Sequence, residues 1–378
     1  MASGEPPWVL DAAVWGDLAS AANAVLAEAA RERGPARIAH PPAYAHACAL
    51  LRALVAAGEA ATPRVLAAAA AVIDANPAHY SAWSVRRAWF EAAARSQDVW
   101  EAEVAYTSRI IDATSKNYQV WNHRRWVQTR LLATAAAAAA AEGGGGEHGT
   151  AGAALVASER AFTAGVIDTD SKHYHAWAHR QWVLGEAGSD ADWADELVYT
   201  ARLLEDDVRN NSAWHHRLLA LKAVVPGRVV AGISAATRLA EATAALAALR
   251  RASRNEAAWN FLRALLPAPT PPGAPDAAAL ALYAPPGPLR DVLLPAVTSL
   301  VEAAEPDVNP FANEFLADLQ VGDLLAAAPP LSPAAAAPTL RTIARLHAAA
   351  ADVDAVRAAY WAWRAALVAA AFPAAPPT

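Results

Sequence analysis

Between residues 103 and 112 the chain reads EVAYTSRIID, and between 196 and 205 it reads ELVYTARLLE; apolar and polar residues fall on the same positions at nine of the ten. Trp193, Leu197 and Leu204 recur at helical spacing on one face, which predicts an amphipathic helix packed through that face. Trp100 matches Trp193, and each stands 21 residues before a further tryptophan, Trp121 or Trp214.

That further tryptophan sets a register. Trp83, Trp121, Trp177, Trp214 and Trp259 share a context, at intervals of 38, 56, 37 and 45 residues. Three residues before each stands Tyr80, Tyr118, Tyr174, Asn211 or Glu256, and three after it Arg86, Arg124, Arg180, Arg217 or Leu262. Nine before lies Asp74, Asp112, Asp168, Glu205 or Arg250, which closes the first helix of a pair with an acid in four of five copies. Eighteen before come Glu103, Glu159, Glu196 and Glu241 in the last four copies. A period of this length built from two helices predicts an all-α fold, an α-α solenoid of antiparallel helix-pair repeats over 43–266. The Trp and Arg then read as a packing anchor and an ion pair, with the guanidinium near the preceding loop or near the acid that ends the first helix.

The 56-residue interval holds Ala135 to Ala141 and then Gly143 to Gly146, so a low-complexity insertion over about 133–152 is expected to form a disordered loop between repeats. After Leu266 a proline-rich linker, 267–288, cannot continue a helix. Helices are expected again over 289–304 and 310–328, within a C-terminal region, 289–372, that completes the solenoid. The break PPLSPAAAAP precedes a last helical stretch from Thr339 to about Ala371, where Tyr360, Trp361 and Trp363 offer an aromatic anchor. At the other end, 1–40 is expected to be a partly disordered segment, followed by helices over 43–60 and 63–73.

Composition narrows the function classes. A net charge of −6 and a pI near 6.0, without a block of Lys or Arg, leave no electrostatic footprint for nucleic acid. Cys48 is the one cysteine, so this chain alone builds neither a disulfide framework nor a cysteine-rich zinc site, and a reducing compartment fits. Met1 to Val14 lacks a basic stretch followed by an apolar core, so no signal peptide is read. The hydrophobic content is mostly alanine interrupted by charges, which predicts a soluble, cytoplasmic protein without membrane insertion.

Stand-alone enzyme motifs are absent: there is no GxxxxGK[ST], no HExxH and no CxxC, and the GGGG tract is not flanked by a strand and a helix. His175 and His179 stand four apart, as metal ligands do, with His215 and His216 in the next repeat, but no carboxylate completes a set and hydrogen-bonded or surface histidines are the expectation. The loops say more. Lys116, Lys172 and Arg209 each lie five residues before a signature Trp, just ahead of the second helix of a pair. Stacked repeats would align them on one edge, where helix N-termini, with Tyr or Asn two residues on, suit a phosphate or carboxylate. Solvation of inter-repeat loops accounts for these cations equally well.

The segments KNYQVWNHRRW (Lys116 to Trp126), KHYHAWAHRQWV (Lys172 to Val183) and DVRNNSAWHHR (Asp207 to Arg217) resemble the alpha-subunit repeats of protein prenyltransferases, most of all the alpha subunit shared by farnesyltransferase and type I geranylgeranyltransferase. The resemblance runs from about Ala43 to Leu266 and more weakly to the end, where DVDAVRAAYWAWR is similar to the family's closing helix. It implies a right-handed superhelical crescent wrapped around a beta subunit. That beta subunit, of the farnesyltransferase or type I geranylgeranyltransferase kind, would hold the catalytic zinc, leaving no metal ligand in this chain; Mg²⁺ is a further candidate for the farnesyl reaction. The implied reaction is attack of a CaaX cysteine thiolate on C1 of farnesyl or geranylgeranyl diphosphate. By motif, Lys172 would reach the diphosphate, Tyr174 would assist it, and Gln119 would receive the CaaX carboxylate. Arg180, Asn210 and Trp214 occupy positions associated with activity, or shape the subunit interface. His173 departs from the asparagine usual after the lysine. Two other readings stand beside this one: a non-catalytic peptide-binding scaffold of helical repeats, and the alpha subunit of the Rab-specific geranylgeranyltransferase.

Overall fold

The computed structural model describes residues 15–31, 38–59, 61–141, 149–224, 232–266, 282, 284–303, 308–327 and 330–372. Among the described residues there are sixteen α-helices and no strand. They fall into two compact units, one ending at Ala187 and one beginning at Gly188. The first holds α1 (Ala19–Arg31), α2 (Pro42–Ala56), α3 (Pro63–Ala75), α4 (Tyr80–Glu91), α5 (Gln97–Ala113), α6 (Tyr118–Ala141), α7 (Gly149–Thr169) and α8 (Tyr174–Ala187). The second holds α9 (Asp190–Asp206), α10 (Asn211–Ala223), α11 (Ala235–Arg251), α12 (Glu256–Leu265), α13 (Pro288–Glu302), α14 (Pro310–Ala326), α15 (Pro333–Val353) and α16 (Ala358–Ala371).

Local chemistry starts these helices. Proline opens α2, α3, α13, α14 and α15, where its missing N–H costs nothing and its fixed φ suits a first turn. Ser189 and Asp192 form a reciprocal capping box on α9. The two helices of each pair pack on one another. The second helices of successive pairs also pack, α4 on α6 and α6 on α8 in the first unit, α10 on α12 and α12 on α14 in the second.

The turn inside each pair is the same in all five copies. A 3.0 Å backbone bond closes it, from His79 to Asn76, Asn117 to Thr114, His173 to Asp170, Asn210 to Asp207 and Asn255 to Ala252. The signature Trp then donates its indole N–H to the carbonyl six residues upstream, Pro77, Ser115, Ser171, Val208 or Ser253, at 2.7–3.0 Å. One polar atom thus fastens the second helix to the turn, while the ring is free to pack. It packs outward, on the following repeat: Trp83 meets His123 at 4.7 Å, Trp121 meets Phe162 at 5.9 Å, and Trp214 meets Phe261 at 4.9 Å between ring centroids. The residue before each Trp (Ala82, Val120, Ala176, Ala213, Ala258) is fully buried, and all but Val120 are alanine, small enough for close helix approach. Truncating one such Trp to Ala costs about 3–5 kcal/mol.

The arginine three residues after the Trp does not turn back to the acid that ends its own first helix. It reaches forward, to the glutamate of the next pair. Arg86 meets Glu103 at 2.6 Å, Arg124 meets Glu159 through Nε at 2.8 Å and Nη2 at 2.6 Å, and Arg217 meets Glu241 through two bonds of 2.7 Å. Nη1 of each arginine donates instead to a carbonyl of its own first helix, Leu66, Val104, Arg160 or Leu197, the last two from Arg180 and Arg217. A histidine two residues after the Trp joins three of the four Trp−18 glutamates: His123 on Glu103 and His179 on Glu159 at 2.6 Å, His216 on Glu196 at 2.7 Å. The physical reason is facing. At Trp+3 the side chain shares the Trp's outward face, so it meets the next pair. Asp74, at the helix end, is left to the exposed Arg109, 2.9 Å away. Burial alone would raise these carboxyls, but hydrogen bonds from His179 and Arg124 hold Glu159 at about 2, and those from His123 and Arg86 hold Glu103 below the usual carboxylate range.

Three sequence expectations change. The alanines of the expected loop over 133–152 extend α6 to Ala141, and α7 begins at Gly149; residues 142–148 lie outside the described residues. Alanine is the strongest helix former, and Ala135 and Ala139 find buried positions, so low complexity did not mean loop. Gly149, at φ +59°, sits where a Cβ would come within 3.0 Å of the Ala139 Cβ. The last helical stretch is two helices, α15 and α16, separated at Asp354 by a 3₁₀ turn, Ala355–Arg357, and α15 starts at Pro333 rather than Thr339. Within the N-terminal segment, α1 and a 3₁₀ turn at Gly16–Leu18 are ordered helix. Of the proline-rich linker, residues 267–281 and 283 lie outside the described residues.

The closing aromatic anchor is Trp361, 1% exposed, whereas Trp363 is half exposed. Around it, Arg263 and Arg364 both pair with Asp318, and Arg364 reaches Glu314 at 2.7 Å, tying α12, α14 and α16 together.

Candidate functional site

The candidate site of the first unit is the row of turns ahead of α4, α6 and α8. Asp170 organises it. Its carboxylate takes the Lys116 ammonium of the preceding turn at 3.1 Å and the backbone N–H of Lys172 at 3.1 Å. The Lys116 hydrogen bond, then the Lys172 N–H, hold its pKa below the usual carboxylate value. The pair is exposed and adds little stability, so its effect is placement: two cation-bearing turns stand side by side. His175 stacking on Trp121, 6.3 Å between centroids, adds a second tie between them.

Capping finishes each turn. Asn117 Oδ1 accepts from the Gln119 N–H at 2.8 Å, which places Gln119 in the first turn of α6, half-buried. On α8 the cap is His173, whose Nδ1 accepts from the Ala176 N–H at 3.2 Å, as His79 does from Ala82 on α4. The histidine that departs from the asparagine pattern therefore performs the same capping role through a ring nitrogen. Burial lowers its pKa, which keeps Nδ1 an acceptor. Tyr80, Tyr118 and Tyr174 begin the three helices and are exposed, at 69%, 58% and 76%. Lys172 is exposed beside Tyr174. Lys116, Gln119, Lys172 and Tyr174 thus share one edge, at the N-terminal ends of α6 and α8, where unpaired N–H groups favour an anion.

The other three residues singled out from the sequence are buried. Arg180 donates to the Arg160 carbonyl and to Thr163 Oγ1 at 3.1 Å. In the second unit Asn210 caps α10 through bonds from Ser212 and Ala213, and Trp214 donates to the Val208 carbonyl at 2.8 Å. The next cap along, Asn255, also donates to the Val208 carbonyl, at 2.7 Å, so one carbonyl joins two repeats. Sequence reasoning passed over Asp170, and it weighed His179 and His216 against a metal set without finding the glutamates that they meet. The signal was present: histidine recurs at Trp+2 in three consecutive repeats, each with a glutamate at Trp−18.

The sequence model described as "Protein prenyltransferase alpha subunit repeat" matches residues 100–131, 156–187 and 193–224. Three stretches of this chain are therefore repeats of the protein prenyltransferase alpha-subunit kind. The matched stretches span the Glu at Trp−18, the turn, the Trp and the Arg of three repeats. Among curated relatives, the Saccharomyces cerevisiae geranylgeranyl transferase type-2 subunit alpha is 22% identical over 120 residues, 31% of this chain and 32% of that protein. The Schizosaccharomyces pombe protein farnesyltransferase/geranylgeranyltransferase type-1 subunit alpha is 32% identical over 90 residues, 24% of this chain and 29% of that one. The match spans about a third of the length of these curated relatives. A chain of the Candida albicans protein geranylgeranyltransferase-I complexed with GGPP superposes with a TM-score of 0.64 at 18% identity, covering 89% of this chain and 94% of that one, which shows a shared fold.

Within this prenyltransferase-repeat scaffold, no group of three or more His, Cys, Asp or Glu among the described residues is arranged to hold a metal ion. His179 is engaged with Glu159, and His175 stacks on Trp121. No helix among the described residues is long and apolar enough to cross a membrane.

Proposed function

We propose that this chain is the alpha subunit of a heterodimeric protein prenyltransferase that transfers a farnesyl or geranylgeranyl group from its diphosphate to the cysteine thiol of proteins ending in CaaX. The observation that carries the reading is the exposed edge of Lys116, Lys172 and Tyr174 on helix N-termini, in a chain that carries repeats of the alpha-subunit kind. In the reaction a C–S bond forms at C1 of the isoprenoid as the C–O bond to diphosphate breaks, and negative charge grows on the leaving oxygens. A fixed ammonium and a phenol donor stabilise that charge where it develops. Lys172 is assigned the diphosphate, Tyr174 a supporting hydrogen bond, and Gln119 the CaaX carboxylate. Arg180, Asn210 and Trp214 are assigned to support, since they hold turns and helices rather than face solvent. Zinc and the bulk of the isoprenoid and peptide sites are assigned to a beta subunit of the farnesyltransferase or type I geranylgeranyltransferase kind; no step is routed through a metal on this chain.

The test is co-expression with such a beta subunit and single-turnover prenylation of a CaaX peptide. Lys172→Ala is expected to slow the chemical step by about 2 to 4 kcal/mol while peptide affinity holds. An unchanged rate would overturn the assignment of Lys172, and loss in Lys116→Ala alone would move the diphosphate one turn along the edge. Failure to pair with any CaaX-type beta subunit would overturn the whole reading. A second reading, the alpha subunit of a type-2 geranylgeranyl transferase, is favoured by the longer matched stretch to that relative, 120 residues against 90. It predicts pairing with a different beta subunit and no activity on an isolated CaaX peptide.

A further inference from the structure

The fifth repeat breaks the charge rule of the register. At Trp−9, where the other copies carry Asp74, Asp112, Asp168 or Glu205, it carries Arg250, and Arg251 and Arg254 follow at Trp−8 and Trp−5. Cations in the last turn of α11 suit the helix dipole. The dipole does not account for what they flank. Ser253 stands exposed in the turn between α11 and α12, and its hydroxyl makes no hydrogen bond among the described residues. Its backbone carbonyl takes the Trp259 indole at 2.7 Å and the Asn309 amide at 2.8 Å, which fastens the backbone and leaves the side chain outside.

Arginine at three and at two residues before a serine is a charge pattern that arginine-directed protein kinases read. The chain has three arginine pairs, and the other two are followed at that offset by Trp89 and Val127, so Arg250 and Arg251 alone frame a hydroxyl. Ser115 and Ser171 occupy the same place in their own turns, six before the Trp, but they are half-buried and have Asp112 and Asp168 three residues before them. Neither Arg250 nor Arg251 is held in an ion pair among the described residues, and Arg254 gives an N–H to the Val308 carbonyl at 3.1 Å. Such a kinase binds its substrate as an extended chain. Ala252 has already left the helix, at φ −147° and ψ 77°, and Asn255 is extended, at φ −78° and ψ 94°. Bringing the two arginines into line requires the last turn of α11 to open, where carbonyls are unpaired and helix ends fray.

We infer that Ser253 is a phosphorylation site for an arginine-directed serine kinase, read through Arg250 and Arg251. In the step, Ser253 Oγ attacks the γ-phosphorus of ATP; the new O–P bond forms as the bond to the β-phosphate oxygen breaks, ADP leaves, and the hydroxyl proton passes to the catalytic aspartate of the kinase. The phosphate brings about two negative charges to a turn that holds Arg250, Arg251 and Arg254, ahead of the first turn of α12 where an anion is favoured. The site does not depend on the prenyltransferase reading.

The test is incubation of the full chain with MgATP and the catalytic subunit of cyclic AMP-dependent protein kinase, a probe for arginine at these two positions. One phosphate per chain is expected by intact mass, mapped to Ser253 by peptide fragmentation, with Ser115 and Ser171 unmodified. Ser253→Ala is expected to abolish incorporation. Arg250→Ala with Arg251→Ala, at two exposed positions, is expected to slow it at least about tenfold while the helical signal and melting temperature are retained. No incorporation into the folded chain, whether or not a peptide of residues 247–258 is modified, incorporation mapped to another residue, or an unchanged rate in the double variant would each overturn the inference.

Discussion

Glu159→Gln tests the interaction that joins one repeat to the next. The carboxylate is fully buried and receives four bonds: Arg124 Nε at 2.8 Å and Nη2 at 2.6 Å, Gln128 at 2.8 Å and His179 at 2.6 Å. Arg124, itself 1% exposed, is further held by the Val104 carbonyl, Thr107 and Ser108, with its guanidinium 3.7 Å from the Phe162 ring centroid. Replacing the carboxylate by an amide keeps the shape and one acceptor oxygen but leaves the arginine charge buried without a counter-ion. Breaking a buried pair in this way costs about 3–5 kcal/mol, and the retained oxygen places the cost near the lower end. Removing both charges, Arg124→Met with Glu159→Leu, leaves no uncompensated ion. The Val104 carbonyl still accepts from Thr107 and Ser108, so the residual cost is the lost acceptor for Gln128 and His179, about 1–2 kcal/mol. The double variant is therefore expected to be more stable than Glu159→Gln by roughly 1–2 kcal/mol. Urea unfolding followed by tryptophan fluorescence and circular dichroism, compared at constant m, measures it. If Glu159→Gln lies within about 1 kcal/mol of the parent, or the double variant is the less stable, the inter-repeat ion pair does not hold the stack.

Three further outcomes are expected. His173→Asn keeps the cap on α8 and is expected to be neutral in stability, whereas His173→Ala loses it at about 1 kcal/mol, read as a shift in urea midpoint. Gly149→Ala is expected to destabilise by about 1–2 kcal/mol, from the left-handed φ together with the contact at Ala139, seen as a lower melting temperature. His347 is buried with both ring nitrogens unpartnered, and burial takes its pKa down to about 4. The unfolded chain binds that proton near pH 6.5 and the folded one near 4, so this contribution is whole above 6.5 and is lost as pH falls through that window, about 3 kcal/mol in all. Unfolding titrations from pH 7 to 4 are expected to show this slope and to lose it in His347→Leu.

The register was legible because everything that defines it is local: the Trp, the capping residue four before it, and the amphipathic spacing of helices such as Trp193, Leu197 and Leu204. So was the edge of Lys116, Lys172 and Tyr174, since a fixed offset from the Trp puts each at the start of a second helix. Other features are non-local. Arg86, Arg124 and Arg217 find their glutamates 17, 35 and 24 residues on, separations that vary with whatever lies between, so only packed repeats reveal the pairing. Asp170 gains its role from a lysine one repeat away, and His173 can replace asparagine because a buried neutral ring offers the same acceptor. The alanines of the insertion carry no pattern of their own; their helical state comes from buried positions at Ala135 and Ala139 beside α7. Sequence by itself thus determined the helix pairs of the repeat and where their turns present cations, and tertiary structure decided which buried charges are paired, because counter-ions are chosen by the distance between facing helices and not by distance along the chain.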